Sequence, residues 1–178
     1  KSIEPLPSTM NRKYSNEFMS FVKKKLNEKK PSEELTKVGE AANLSKAFVL
    51  KEKKSFMVVC LGEGNHPVGV FDFGFIESED GTTIWSMDQI NKTFYGGGGY
   101  KNRLSISVVT LDPGKYSINY VTDVGHSYNN FNVLSPNNPD WYGIQLIELN
   151  EDESKELHTK VELEEKQNNF PDYYIART

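Results

Sequence analysis

The sequence predicts an all-β fold: an antiparallel β-sandwich of jelly-roll type, with an N-terminal α-helix and a C-terminal extension. Three observations carry this. From Ala47 onward, apolar and aromatic side chains recur with a period of two or in short unbroken runs, the pattern of strands. Turns rich in Gly, Asp, Asn and Pro separate those runs at short intervals. No helical period lies between them, which favours a sandwich or barrel of about seven short strands over βαβ units.

Taken in order, residues 1 to 13 hold Pro5 and Pro7 and no apolar period, and read as an arm. Over Tyr14 to Lys30, Phe18, Phe21, Val22 and Leu26 fall at i, i+3, i+4 and i+8, one apolar stripe with lysines opposite. Ser15 or Asn16 can cap the start of this helix, and Pro31 ends it. Packing against the domain is the ordinary fate of such a stripe. It is too short for a coiled coil. Ser32 to Ala42 fits either a short helix or a link. The strand-like runs are Ala47 to Leu50, Phe56 to Leu61, Val68 to Ile76, Thr82 to Met87, Leu104 to Leu111, Tyr116 to Thr122 and Gly143 to Leu149. Gly62-Glu63-Gly64-Asn65-His66 reads as a turn, as does Asp112-Pro113-Gly114. Glu151 to Glu165 fits a surface helix or a ragged strand-loop extension, and Phe170 to Ile175 is aromatic enough to dock on a neighbouring surface. The expected organisation is therefore an arm and helix over 1–44, a sandwich over 45–150 and a charged, aromatic extension over 151–178.

Bulk properties narrow the function classes. A formal net charge of −4 and the lack of a basic stripe interleaved with aromatics argue against nucleic acid. Lys23, Lys24, Lys25, Lys29 and Lys30 read as the solvated face of the helix. The single cysteine, Cys60, excludes an internal disulfide and sits in an apolar run as a small buried hydrophobe. No stretch approaches the roughly 18 apolar residues of a membrane span. The chain begins at Lys1 rather than Met, so the lack of a targeting segment says little about compartment.

Chemistry concentrates between Tyr95 and Gly143. Tyr116, Ile118 and Tyr120 share one strand face, and Ser117, Asn119, Val121 and Asp123 share the other. Beyond them Asp123, His126, Ser127, Tyr128, Asn129, Asn130 and Asn132 crowd together. Gly96 to Gly99 could form an anion nest, but the Walker pattern is absent, because Asn102 follows Lys101 and a strand rather than a helix comes next. Phe71, Phe73 and Phe75 oppose Asp72 and Gly74 across one strand. Close packing over Gly74 is expected, and Asp72 either pairs with Lys101 or Arg103 or points at a site. Asp123, His126 and Ser127 invite a hydrolase reading, yet three near neighbours rarely converge as a triad and no Gly-x-Ser-x-Gly elbow exists. As metal ligands, Asp123 and His126 would need Glu63 or Asp72, without supporting spacing. Trp141 can fill the sandwich end or serve as a platform for a ring. Asn43-Leu44-Ser45 and Asn91-Lys92-Thr93 match the glycosylation acceptor pattern.

Six blocks together resemble a bacterial β-sandwich domain of unestablished function found in multidomain and envelope-associated proteins. They are Gly62-Glu63-Gly64, Asp72-Phe73-Gly74-Phe75-Ile76, Ile84-Trp85-Ser86-Met87, Gly97 to Arg103, Leu111 to Tyr128 with Phe131-Asn132, and Pro139-Asp140-Trp141-Tyr142-Gly143-Ile144. Phe75 and Phe131 stand where that domain has Trp, and Tyr142 is inserted before Gly143. The resemblance implies a sandwich with an accessory or sensor-like role and no more; the expected compartment is extracytoplasmic, at the periplasm or cell surface.

The residues shared by those blocks and the polar rim give the candidate ligand-binding set: Glu63, Asp72, Lys101, Asn102, Arg103, Asp123, His126, Asn132 and Trp141. The expected function is a non-catalytic module for a small polar ligand, such as a carbohydrate or cell-wall fragment, with no cofactor and no bound metal. A structural or protein-interaction sandwich is the alternative, with a protein partner engaging the N-terminal helix or the C-terminal aromatics. A metal-dependent hydrolase ranks third.

Overall fold

A computed structural model describes residues 12–168. Residues 1–11 of the expected arm over 1–13, and the aromatic segment Phe170 to Ile175, lie outside them. Helix α1 (Asn16–Glu28) is followed by nine strands: β1 (Glu33–Leu35), β2 (Asn43–Leu50), β3 (Lys54–Asn65), β4 (Gly69–Ser78), β5 (Thr83–Ser86), β6 (Phe94–Tyr95), β7 (Asn102–Leu111), β8 (Gly114–Val121) and β9 (Gly143–Leu149). Helix α2 (Glu151–Asn168) closes the described chain. The predicted antiparallel sandwich with an N-terminal helix is present, and the extension is a helix rather than a strand-loop.

The strands form two sheets joined at one corner. The first has the order β1-β9-β3-β7-β6, the second β2-β8-β4-β5, and every strand pair is antiparallel. The corner is the β3–β4 hairpin, where Glu63 pairs with Asp72 across a bulge at Glu63/Gly64. Gly62-Glu63-Gly64 therefore lies inside a strand, not in the predicted turn. The turn comes later, at His66 to Val68. Glycine at 62 has a local cause, because a Cβ there would lie 1.9 Å from the Asp72 carbonyl oxygen. Strands β1 and β6 carry no period of their own and were not separable by pattern.

The two helices form a third layer. Helix α2 lies over β3, β7 and β9. Helix α1 runs antiparallel beside α2, since Ser15 at its start reaches Glu164 while Lys25 and Lys29 near its end reach Glu153. Phe18 and Val22 from α1 and Leu157 from α2 are buried, and Ser15 caps α1 by accepting from Phe18 N–H at 3.2 Å. Lys25 and Lys29 thus join the helix layer instead of forming a free basic face, while Lys23 and Lys24 stay exposed. Phe18, Val22 and Leu157 seal the layer from within, and Glu153 ties the two helices by pairing with both lysines.

The central strand β3 is enclosed by helices on one side and the second sheet on the other. Phe56 to Gly64 is buried without interruption, and Cys60 is fully buried. The sheets meet closely over Gly74, where a Cβ would lie 2.8 Å from the Ile144 Cβ and 3.1 Å from Cys60 Sγ. The second sheet has only one buried face. Asp72, Gly74 and Ile76 of β4 and Ile118 and Tyr120 of β8 point inward, while Phe71, Phe73 and Phe75 are half-buried on the outside. Register places Val121 across from Phe73 and Asn119 across from Phe75, with Asn43, Ser45 and Ala47 of β2 in the next row.

Candidate functional site

The polar residues singled out above gather where the sheet corner meets the long segment between β8 and β9, and they divide into a buried frame and a rim. The frame begins at Asp72, which is 0% exposed. Its Oδ1 accepts from the Asp123 N–H at 2.8 Å and its Oδ2 accepts from the Tyr142 hydroxyl at 2.5 Å. The Tyr142 hydroxyl also lies 3.1 Å from the His126 carbonyl oxygen. His126 Nε2 faces Asn102 Oδ1 at 2.6 Å, and Nδ1 faces the Asn132 carboxamide at 3.0 Å. The Asn102 amide is fixed in orientation because its Nδ2 donates to Gly97 O and Leu134 O, both at 2.9 Å. His126, Asn102 and Tyr142 are all 0% exposed.

Burial sets the protonation of this frame. It pushes the Asp72 carboxyl up to about 7, against the hydrogen bonds from Tyr142 and Asp123 N–H that favour the anion. It lowers His126 below the usual histidine range, so the imidazole is neutral near pH 7. A neutral ring donates from one nitrogen only. Nε2–H serves Asn102, which leaves Nδ1 to accept from Asn132, with the amide turned accordingly. Rings close the frame: Phe131, His126 and Tyr120 meet the Tyr142 ring edge-on at 5.4, 6.2 and 6.2 Å.

The rim holds Lys101 and Asp123, with Glu63 buried at 6% exposure directly behind them. Lys101 Nζ sits 2.7 Å from Glu63 Oε1. Burial raises the Glu63 carboxyl pKa, with Lys101 opposing. Asp123 is exposed. Oxygens of Glu63, Asp72 and Asp123 lie within 4.8 Å of one another, a spacing that one cation could span, but the Lys101 ammonium already supplies a positive charge there. His126 has no part in such a ligand set, since both its nitrogens are engaged by asparagines. Ser127 Oγ is buried with no hydrogen-bond partner among the described residues, so no base activates it and the triad reading fails.

Two candidates go elsewhere. Arg103 is fully buried and donates from Nε to Thr93 Oγ1 at 2.9 Å, from Nη2 to Thr93 O at 3.2 Å and from Nη1 to Tyr100 O at 3.3 Å. Asp72 pairs with neither Lys101 nor Arg103. Trp141 is half-buried and packs on the core. The four-glycine loop cradles no anion with Gly96 or Gly99, whose N–H groups donate to Asn102 O and Leu134 O. Gly98 adopts φ +68°, and a Cβ there would lie 2.0 Å from Ser135 O. This loop is a tight seam between β6–β7 and the 133–137 segment, as a bent rim loop should be. Sequence reasoning missed Tyr142, the pivot of the frame. Its signal was faint: one tyrosine inserted ahead of a largely buried strand.

The architecture defines the class as an antiparallel β-sandwich with a helical layer on one side. No family model and no curated protein matches the chain. Among solved structures it is similar to a protein from Sulfurospirillum deleyianum, at 12% identity and TM-score 0.35, over 67% of this chain and 96% of that one. It is also similar to a family 35 carbohydrate binding module from Clostridium thermocellum, at 13% identity and TM-score 0.31, over 66% of this chain and 89% of that one. Likeness at this distance does not carry an activity across.

Proposed function

We propose that this chain is a non-catalytic binding module whose rim of Lys101 and Asp123, backed by the buried Glu63, contacts a small polar ligand. The observation that supports this is the division of labour in the cluster. Asp72, Asn102, His126 and Tyr142 are spent on one another, and their effect is to hold the segment from Thr122 to Tyr142 rigidly against the sheets. Loops fixed by a rigid scaffold are where binding residues concentrate, and this one presents Asp123 beside Lys101 at the surface. A sugar, a cell-wall fragment or another polar metabolite meets the chemistry of one ammonium between carboxylates.

A second reading has its own support. Each of the four frame side chains has hydrogen-bond partners inside the protein, as a network that only stiffens loops would have. On that reading the rim contacts a protein partner or nothing. A thermal-shift screen with sugars, muropeptides and divalent ions separates the two. The binding reading expects a compound that raises Tm for wild type and not for Asp123→Ala. If no compound does so, and His126→Ala lowers Tm, the structural reading stands.

A further inference from the structure

We infer that the outer face of the second sheet is a binding platform for a neutral oligosaccharide chain, separate from the rim. An antiparallel sheet with one solvated face ordinarily carries polar side chains outward. Here β4 does the reverse. Its outward row is Phe71, Phe73 and Phe75, and its inward row contains Asp72. Alternate residues on a strand repeat about every 7 Å, and the Phe73 and Phe75 rings stand 5.9 Å apart at 42°. Phe73 and Phe75 are thus in contact and each is half-buried, Phe73 also packing on the core, and contiguous apolar surface that keeps part of its area in solvent marks an interaction site. Among the described residues, the helix layer lies over β3, β7 and β9, on the other sheet.

The neighbouring rows give the chemistry of the occupant. Across from the rings on β8 stand Val121 and Asn119. Asn119 is only 7% exposed; its carboxamide is held by Nδ2, which donates to Ser117 Oγ at 2.9 Å, and its Oδ1 accepts no hydrogen bond among the described residues. Ser45 faces Asn119 from β2. The face is uncharged from β4 to β2 until Glu77 and Lys115 at its far end, in a chain with 26% charged residues. An acidic peptide or a nucleic acid meets no cation there. A sugar chain matches it: the apolar C–H faces of the rings cover phenyl groups, and hydroxyls at the ring edges donate to an amide carbonyl and exchange hydrogen bonds with serine.

Calorimetric titration of the full chain with cellohexaose, xylohexaose, mannohexaose and chitohexaose tests this, with hexagalacturonate as the acidic control. One neutral hexamer binds. Phe75→Thr and Asn119→Ala each weaken it at least tenfold while melting cooperatively, and Phe75→Trp retains it. Three outcomes overturn the inference. One is no binding by any neutral hexamer. Another is binding that Asp123→Ala abolishes and Phe75→Thr spares, which assigns the ligand to the rim. The third is self-association of wild type that Phe75→Thr removes, which assigns the face to a second copy of the chain.

Discussion

The sheet beneath the helices and the sheet facing solvent follow opposite rules. The first is buried on both faces, and its central strand runs Phe-Met-Val-Val-Cys-Leu without a polar break. The second is buried on one face, and β4 runs Phe-Asp-Phe-Gly-Phe-Ile, with its carboxylate inside and its rings outside. The difference shows how alternation should be used. Period two tells which residues share a face, but it does not tell which face is the core. The inward Asp72 is tolerated because Tyr142 and the Asp123 N–H satisfy it, and the outward rings are only half-buried, Phe73 packing on the core.

The largest effect belongs to the covered sheet. Leu157 is 1% exposed beneath α2. Leu157→Ala should cost about 2–4 kcal/mol in denaturant unfolding, by loss of transfer energy and creation of a cavity. A cost under about 0.5 kcal/mol would mean that α2 does not seal this sheet.

Next comes the frame at the corner between the sheets. Tyr142→Phe removes the donor to Asp72 Oδ2 and should cost about 1–3 kcal/mol, the penalty of leaving a buried polar group unsatisfied. Equal stability of wild type and variant would show that water or another group replaces the hydroxyl.

The Asp72 carboxyl also imposes a pH dependence of definite sign. Its folded value of about 7 lies above its ordinary value of 3.8. The folded state therefore holds the extra proton between those limits, and stability contributed by Asp72 is full below about 4 and lost as pH rises to 7. Glu63, also raised, acts in the same direction, while His126, lowered, acts oppositely below 6.5. Wild type minus Asp72→Asn isolates the carboxyl: its stability difference should fall with rising pH across 4 to 7, by up to about 4 kcal/mol at 1.36 kcal/mol per unit. A difference that rises with pH would contradict a buried, raised carboxyl.

Much of the fold was legible because its signals are local. The stripe of Phe18, Val22 and Leu26 and the runs of β3, β7, β8 and β9 each announce their own structure. Strand β1 is three residues long and β6 two, too short for any period to register. The glycines at 62 and 64 imitate a turn, although Gly62 is there because the Asp72 backbone crosses it. The candidate site was half legible. The sequence placed Asn102 at the start of β7 and His126 and Asn132 in the segment after β8, but alternation cannot tell a buried network from an open pocket. Nor could it separate Asn102 from Arg103: adjacent on β7, one turns to His126 and the other to Thr93. Tyr142 was missed because its role depends on Asp72, seventy positions earlier.

The most direct measurement is the paired unfolding of Leu157→Ala and Phe75→Thr, the second chosen to keep strand propensity. If one sheet is built for stability and the outer face of the other is kept for binding, Phe75→Thr should cost under about 1 kcal/mol while Leu157→Ala costs about 2–4 kcal/mol. Equal costs would show that the phenylalanine row is structural, and the contrast between the two sheets would be lost.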